Sequence, residues 1–148
     1  MTMTKKDAAA AVRAAKARLG VTWGQLAEAV GAPPAWTTSA LLGQQPMTSA
    51  QAEAAASLLD LDEDVRLALQ SQPTRGALEG AVPVDPTIYR FHEVVQVYGP
   101  TIKELIHEEF GDGIMSAINF RLDVARVPDP AGDRVVVTLD GKFLPYQW

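Results

Sequence analysis

Between Asp85 and Phe120 the chain reads DPTIYRFHEVVQVYGPTIKELIHEEFGDGIMSAINF. This stretch constrains the fold more than any other, because its helix start and stop signals come in pairs. Asp85 is placed to accept hydrogen bonds from a first helical turn, and Pro86 suits the first helical position, where a missing N–H loses no partner. Gly99-Pro100 supplies the stop, so the spacing predicts a helix over about 86–98. Thr101 and Glu104 then form a capping box, and Ile102, Leu105, Ile106 and Phe110 share one stripe, core or interface, before Gly111 ends a second helix. On the first helix Arg90 and Glu93, three residues apart, share a face with Val94 and Val97. An exposed ion pair of that spacing is worth only ~0–1 kcal/mol, and spacing alone favours a plain surface pair. The turn Gly111-Asp112-Gly113 leads into Ile114-Met115-Ser116, which reads as a short helix start whose N–H groups and hydroxyl suit an anion.

Ahead of this stretch the chain reads as all-helical. An Ala-rich helix over Asp7 to Leu19 ends at Gly20, and Thr22 with Gln25 caps a second that carries Trp23, Leu26, Ala27 and Val30 on one stripe and closes at Gly31. Pro33-Pro34 opens a third to Leu42, Thr48 with Gln51 caps a fourth to about Leu59, and a fifth spans Asp62 to Gln70. The second and third have the spacing of a helix-turn-helix. The third contains neither Lys nor Arg, only Thr37, Thr38 and Ser39 as polar groups, so it lacks phosphate anchors and an arginine for guanine. A bundle used for subunit packing fits better than a DNA reader. Asp60, Asp62 and Asp64 alternate as in a calcium loop, yet Val65 stands where the loop needs glycine and Ser71 where it needs a bidentate glutamate. An acidic first helical turn explains them.

Ser71 to Pro86 is rich in Pro and Gly and reads as a linker, giving a bundle over 1–72, a linker over 73–84 and a second domain over 85–148. After Ser116 the period changes to two: Phe120, Leu122 and Val124 alternate with polar neighbours, as do Val135, Val137 and Leu139. Pro128, Pro130 and Gly132 make their connection irregular, and Asp140-Gly141 reads as a tight turn before Lys142 to Tyr146. The fold class is therefore α+β, a helical bundle resembling a helix-turn-helix domain followed by a small helix-plus-strand domain. Two or three short strands leave their edges unpaired, and pairing with another subunit's strands would satisfy both.

The chain has 148 residues, 47% hydrophobic, and no cysteine. A C-terminal half of this size is marginal alone, so oligomerisation is expected. The absent cysteines exclude disulfides and thiolate metal sites. The start, MTMTKKDAAAAVRAAKARLG, is a poor secretory segment, and no apolar run nears the ~20 residues of a membrane span, so a cytoplasmic location is expected. A net charge of −5 argues against general affinity for nucleic acid or acidic membranes.

The run YRFHEVVQVYGPTIKELIHEEFGDGIMSAINF, followed by DPAGDRVVVTLDGKFLPY, closely resembles the cyanase (cyanate hydratase, cyanate lyase) family, as do ALLGQQ and LDLDEDV in the first half. The resemblance implies bicarbonate-dependent decomposition of cyanate to ammonia and carbon dioxide by way of carbamate. It implies catalytic roles for Arg90 and Glu93, in the family's YRFxE motif, and for Ser116, in GDGIxSAI. His92 departs from the family, where a ring such as Tyr is common. The resemblance further implies cyanate and bicarbonate as partners, bicarbonate as co-substrate with no resident cofactor or metal, sites between subunits, and a ring-like decamer of five dimers joined through C-terminal strands.

Rival chemistries lack their parts. His92 and His107 lie fifteen residues apart on different predicted helices, and Gly111 stands where a zincin needs its second histidine. Ser116 has no nucleophile elbow, and no lysine follows Gly113 as in a phosphate loop. The other functional class left open is a helix-turn-helix regulator with a small-anion-binding C-terminal domain.

Overall fold

The computed structural model describes residues 3–76 and 80–147. The chain divides into two compact units, residues 1–77 and 78–148. Of the linker stretch, Ala77, Leu78 and Glu79 lie outside the described residues.

The first unit holds α1 (Lys5–Leu19), α2 (Trp23–Val30), α3 (Pro34–Leu41), α4 (Ser49–Leu59) and α5 (Glu63–Gln70). All but α3, which starts on Pro34 with no side-chain cap, begin where side chains satisfy the orphan amides of a first turn. Thr4 with Asp7, Thr22 with Gln25, and Thr48 with Gln51 form reciprocal capping boxes, and Asp62 accepts from Val65 N at 3.0 Å. The Thr4 box starts α1 two residues ahead of the expected Asp7. The core interlocks alanines with a few leucines: Leu26, Leu41, Leu59 and Leu69 are fully buried, beside Ala8, Ala40, Ala52 and Ala55. Each buried leucine stabilises the bundle by roughly 1.5–3 kcal/mol, while the alanines let helices approach closely. Lys5 Nζ donates to the carbonyls of Gln45 at 3.0 Å and Leu69 at 2.8 Å, tying the start of α1 to the end of α5. Burial, and then the nearby charge of Arg75, push its pKa down.

The second unit is α6 (Pro86–Phe110) and an antiparallel hairpin, β1 (Gly113–Val127) with β2 (Arg134–Pro145). Three local expectations fail here. The two helices expected on either side of Gly99-Pro100 are one helix with Pro100 inside. Proline removes the bond to the Gln96 carbonyl, but Gly99 has no Cβ to meet the pyrrolidine ring, which lifts part of the clash that normally ends a helix before proline. The short helix start expected at Ile114-Met115-Ser116 is strand: Ile114 pairs with Leu144 and Met115 with Phe143. The tight turn expected at Asp140-Gly141 is also continuous strand, with Gly141 opposite Phe120. The chain reverses instead at Asp129–Gly132, where Asp129 Oδ1 accepts from Ala131 N at 2.8 Å and Gly132 takes a φ of 125°.

The hairpin is seated on the end of α6 by Phe110 stacked on Phe143, ring centroids 5.1 Å apart, and by Tyr146 N donating to the Asp112 carbonyl at 3.0 Å. No residue of α6 is buried.

Candidate active site

Arg90 and Glu93 stand on the first turns of α6. Asp85 Oδ1 nucleates that end by accepting from Thr87 N and Ile88 N, both at 3.0 Å. The Arg90 guanidinium reaches the Glu93 carboxylate at 3.6 Å and lies 5.8 Å from the ring centre of Tyr89. Their side chains are 67% and 52% exposed, so within one chain this is an open surface pair.

Ser116 is its opposite, only 5% exposed. It lies in β1 where the ladder slips: Met115 pairs with Phe143 and Phe120 with Gly141, so residues 116–119 stand opposite Lys142 alone. Ser116 Oγ accepts from Ile118 N at 3.1 Å and Asn119 N at 3.0 Å. The hydroxyl thereby satisfies two amides that the bulge takes out of the ladder, and its proton stays available to a ligand. The expected cradle of helical N–H groups around this serine is absent, because the backbone is strand. At the turn before it, His107 Nε2 lies 3.4 Å from the Gly113 carbonyl and 3.9 Å from Asp112 Oδ1.

The structure brings Arg90 and Glu93 together but does not bring Ser116 to them. At 1.5 Å per residue the axis from Arg90 to Gly111 is about 31 Å long. Five residues from Gly111 to Ser116 return at most about 18 Å even if fully extended back along it. More than about 12 Å of Cα separation therefore remains, too far for direct contact. One chain offers a cation–carboxylate pair at one end of a helix and a hydroxyl donor beyond the other.

The fold is that of a two-unit α+β chain whose helix-and-hairpin unit holds an exposed Arg–Glu pair and a buried serine in separate places. Residues 5–73 match the family described as cyanate hydratase, N-terminal, and residues 80–148 match the cyanate lyase C-terminal domain. Among curated relatives, the cyanate hydratase of Mycolicibacterium vanbaalenii is 62% identical over 146 residues, covering 99% of this chain and 95% of the relative. That of Dechloromonas aromatica is 52% identical over 145 residues, covering 98% and 99%. The crystal structure of cyanase from T. urticae superposes with a TM-score of 0.81 at 39% identity, covering 93% of this chain and 96% of that one. The chain belongs to the cyanase family and is an enzyme of the lyase class.

Proposed function

We propose that this chain decomposes cyanate with bicarbonate as co-substrate, and that Arg90, Glu93 and Ser116 form the site where copies of the chain meet. The observation that carries the reading is that both halves of the chain match cyanase domains, with these three residues at the motif positions YRFHE and GDGIMSAI.

A bicarbonate oxygen attacks the cyanate carbon, forming a C–O bond while the cyanate nitrogen takes up a proton. The adduct then passes the proton that bicarbonate brought to the same nitrogen and breaks its C–O bond to the former bicarbonate carbon, releasing carbon dioxide and carbamate. Carbamate takes a second proton and falls to ammonia and carbon dioxide. Two monoanions repel in water, and their adduct concentrates the charge of both. A guanidinium held in a dry site therefore stabilises the adduct more than either substrate. Arg90 supplies that charge and a planar fork for two oxygens. Ser116 donates its proton to a substrate oxygen, since its own oxygen already accepts from two amides. Glu93 orients Arg90 and helps to move a proton onto the cyanate nitrogen.

The separation of Arg90 from Ser116 along α6 supports a shared site: the pair of one copy meets the serine of another. Extensive apolar exposure supports the same arrangement. Phe91, Val95, Val97, Tyr98, Leu105 and Phe110 are each more than half exposed along α6, far more than a monomer leaves uncovered on one helix. Exposed Val124, Val135 and Leu139 on the hairpin support dimers joined through their strands. The family resemblance extends these to a decamer of five dimers. No helix among the described residues is long and apolar enough to cross a membrane, and we place the enzyme in the cytoplasm.

The test is ammonia release from cyanate by purified protein, with and without bicarbonate and after thorough chelation. Release that requires bicarbonate and survives chelation is expected. Turnover independent of bicarbonate, or restored only by an added metal, would exclude this chemistry.

A further inference from the structure

We propose that Gly141 is a positioning residue for catalysis, acting through Ser116 without touching substrate; the inference rests on the reading that Ser116 meets the substrate. In β2, Gly141 is the last residue paired with β1 before the bulge, opposite Phe120. It does not take a positive φ, unlike Gly111 and Gly132, so freedom of backbone is not what the position needs. The need is space. A Cβ built at Gly141 would fall 2.5 Å from Met115 Cγ and 3.2 Å from its sulfur, and closer still to the carbonyl oxygen of Ser116. A methionine side chain can swing aside. A carbonyl oxygen in the bulge moves only if the Ser116 backbone moves with it, and with it the hydroxyl that accepts from Ile118 N and Asn119 N. The missing side chain at Gly141 is thus what lets the bulge settle onto β2 and aim the Ser116 proton. The Asp-Gly dipeptide that reads as a turn in the sequence serves close approach of two backbones.

Gly141→Ala should assemble to the parental mass and lose kcat on the order of 10²-fold, the scale on which a small misplacement of a catalytic group is felt. Ile118 and Asn119 amides should exchange hydrogen faster than in the parent. The double-mutant cycle with Ser116→Ala is the discriminating measurement. If Gly141 acts through Ser116, the double variant turns over no more than about twofold slower than Ser116→Ala alone. Losses that multiply, unaltered exchange at Ile118 and Asn119, or a Gly141→Ala enzyme at near-parental kcat, would overturn the inference. Ser116→Ala at near-parental kcat would instead remove the catalytic reading, and this inference with it. Should Gly141→Ala fail to assemble, Met115→Ala/Gly141→Ala relieves the side-chain clash and keeps the one with the Ser116 carbonyl. That variant should assemble and stay slow relative to Met115→Ala alone; recovery of its kcat, or renewed failure to assemble, overturns the proposal.

Discussion

Arg90 and Ser116, the residues we propose share one site, sit very differently in an isolated chain. The arginine is two-thirds exposed and paired at 3.6 Å with Glu93, a contact that contributes little until it is dried. The serine is buried in a bulge with its oxygen already bonded. Arg90→Lys keeps the charge but loses the fork, so turnover should collapse while assembled mass and melting temperature stay parental. Ser116→Ala removes the donor that we propose faces developing charge, and should lower kcat on the order of 10²–10³-fold. Glu93→Gln keeps the shape and removes the carboxylate; a kcat loss with little change in KM would assign it to proton transfer over binding. Glu108→Gln, on an exposed part of α6, should turn over like the parent. If Arg90→Lys and Ser116→Ala both retain parental turnover in intact oligomers, the site assignment fails. The spacing of Arg90 and Glu93 on one helical face is legible from sequence, because i,i+3 proximity is a property of any helix. The bulge around Ser116 is not, because it depends on which residue of β2 lies opposite.

Among the elements, α6 is the one whose local signals and final form diverge most. Asp85 and Pro86 mark its start as the sequence predicts, and Asp85→Ala should lower stability by about 1 kcal/mol through two lost cap bonds. Its expected end at Gly99-Pro100 is overrun. Pro100→Ala restores an N–H for the Gln96 carbonyl and should raise the unfolding midpoint in denaturant. An unchanged or lower midpoint would show that the proline's shape is built into packing between copies. The bundle helices α1, α2, α4 and α5 follow their caps closely because each cap is satisfied within four residues, and α3 starts on Pro34 with no side-chain cap.

At the scale of the whole molecule, a 25-residue helix with no buried residue and a two-stranded sheet do not make a self-sufficient domain. Light scattering should show an oligomer at working concentration, and Val95→Glu or Leu105→Glu should break it into smaller, inactive species. A folded, fully active monomer would contradict the shared site. The bundle should not read DNA. α3, Pro34–Leu41, carries no Lys or Arg, and the chain's net charge is −5, so no defined operator is expected in gel shifts at physiological salt.

By itself the sequence determined the capped helices of the bundle, the helical face that pairs Arg90 with Glu93, and the period-two strands after Phe120. Each of these depends on hydrogen bonds or side-chain neighbours within a few residues. Only the tertiary structure decided that α6 runs through Pro100, that β2 runs through Asp140-Gly141, and that Ser116 lies in a bulge far from Arg90. The physical reason is competition: a Gly-Pro or Asp-Gly dipeptide biases the backbone locally by about 1–3 kcal/mol per residue, whereas a ladder of cross-strand bonds and the continuity of a long helix act over many residues and outweigh it.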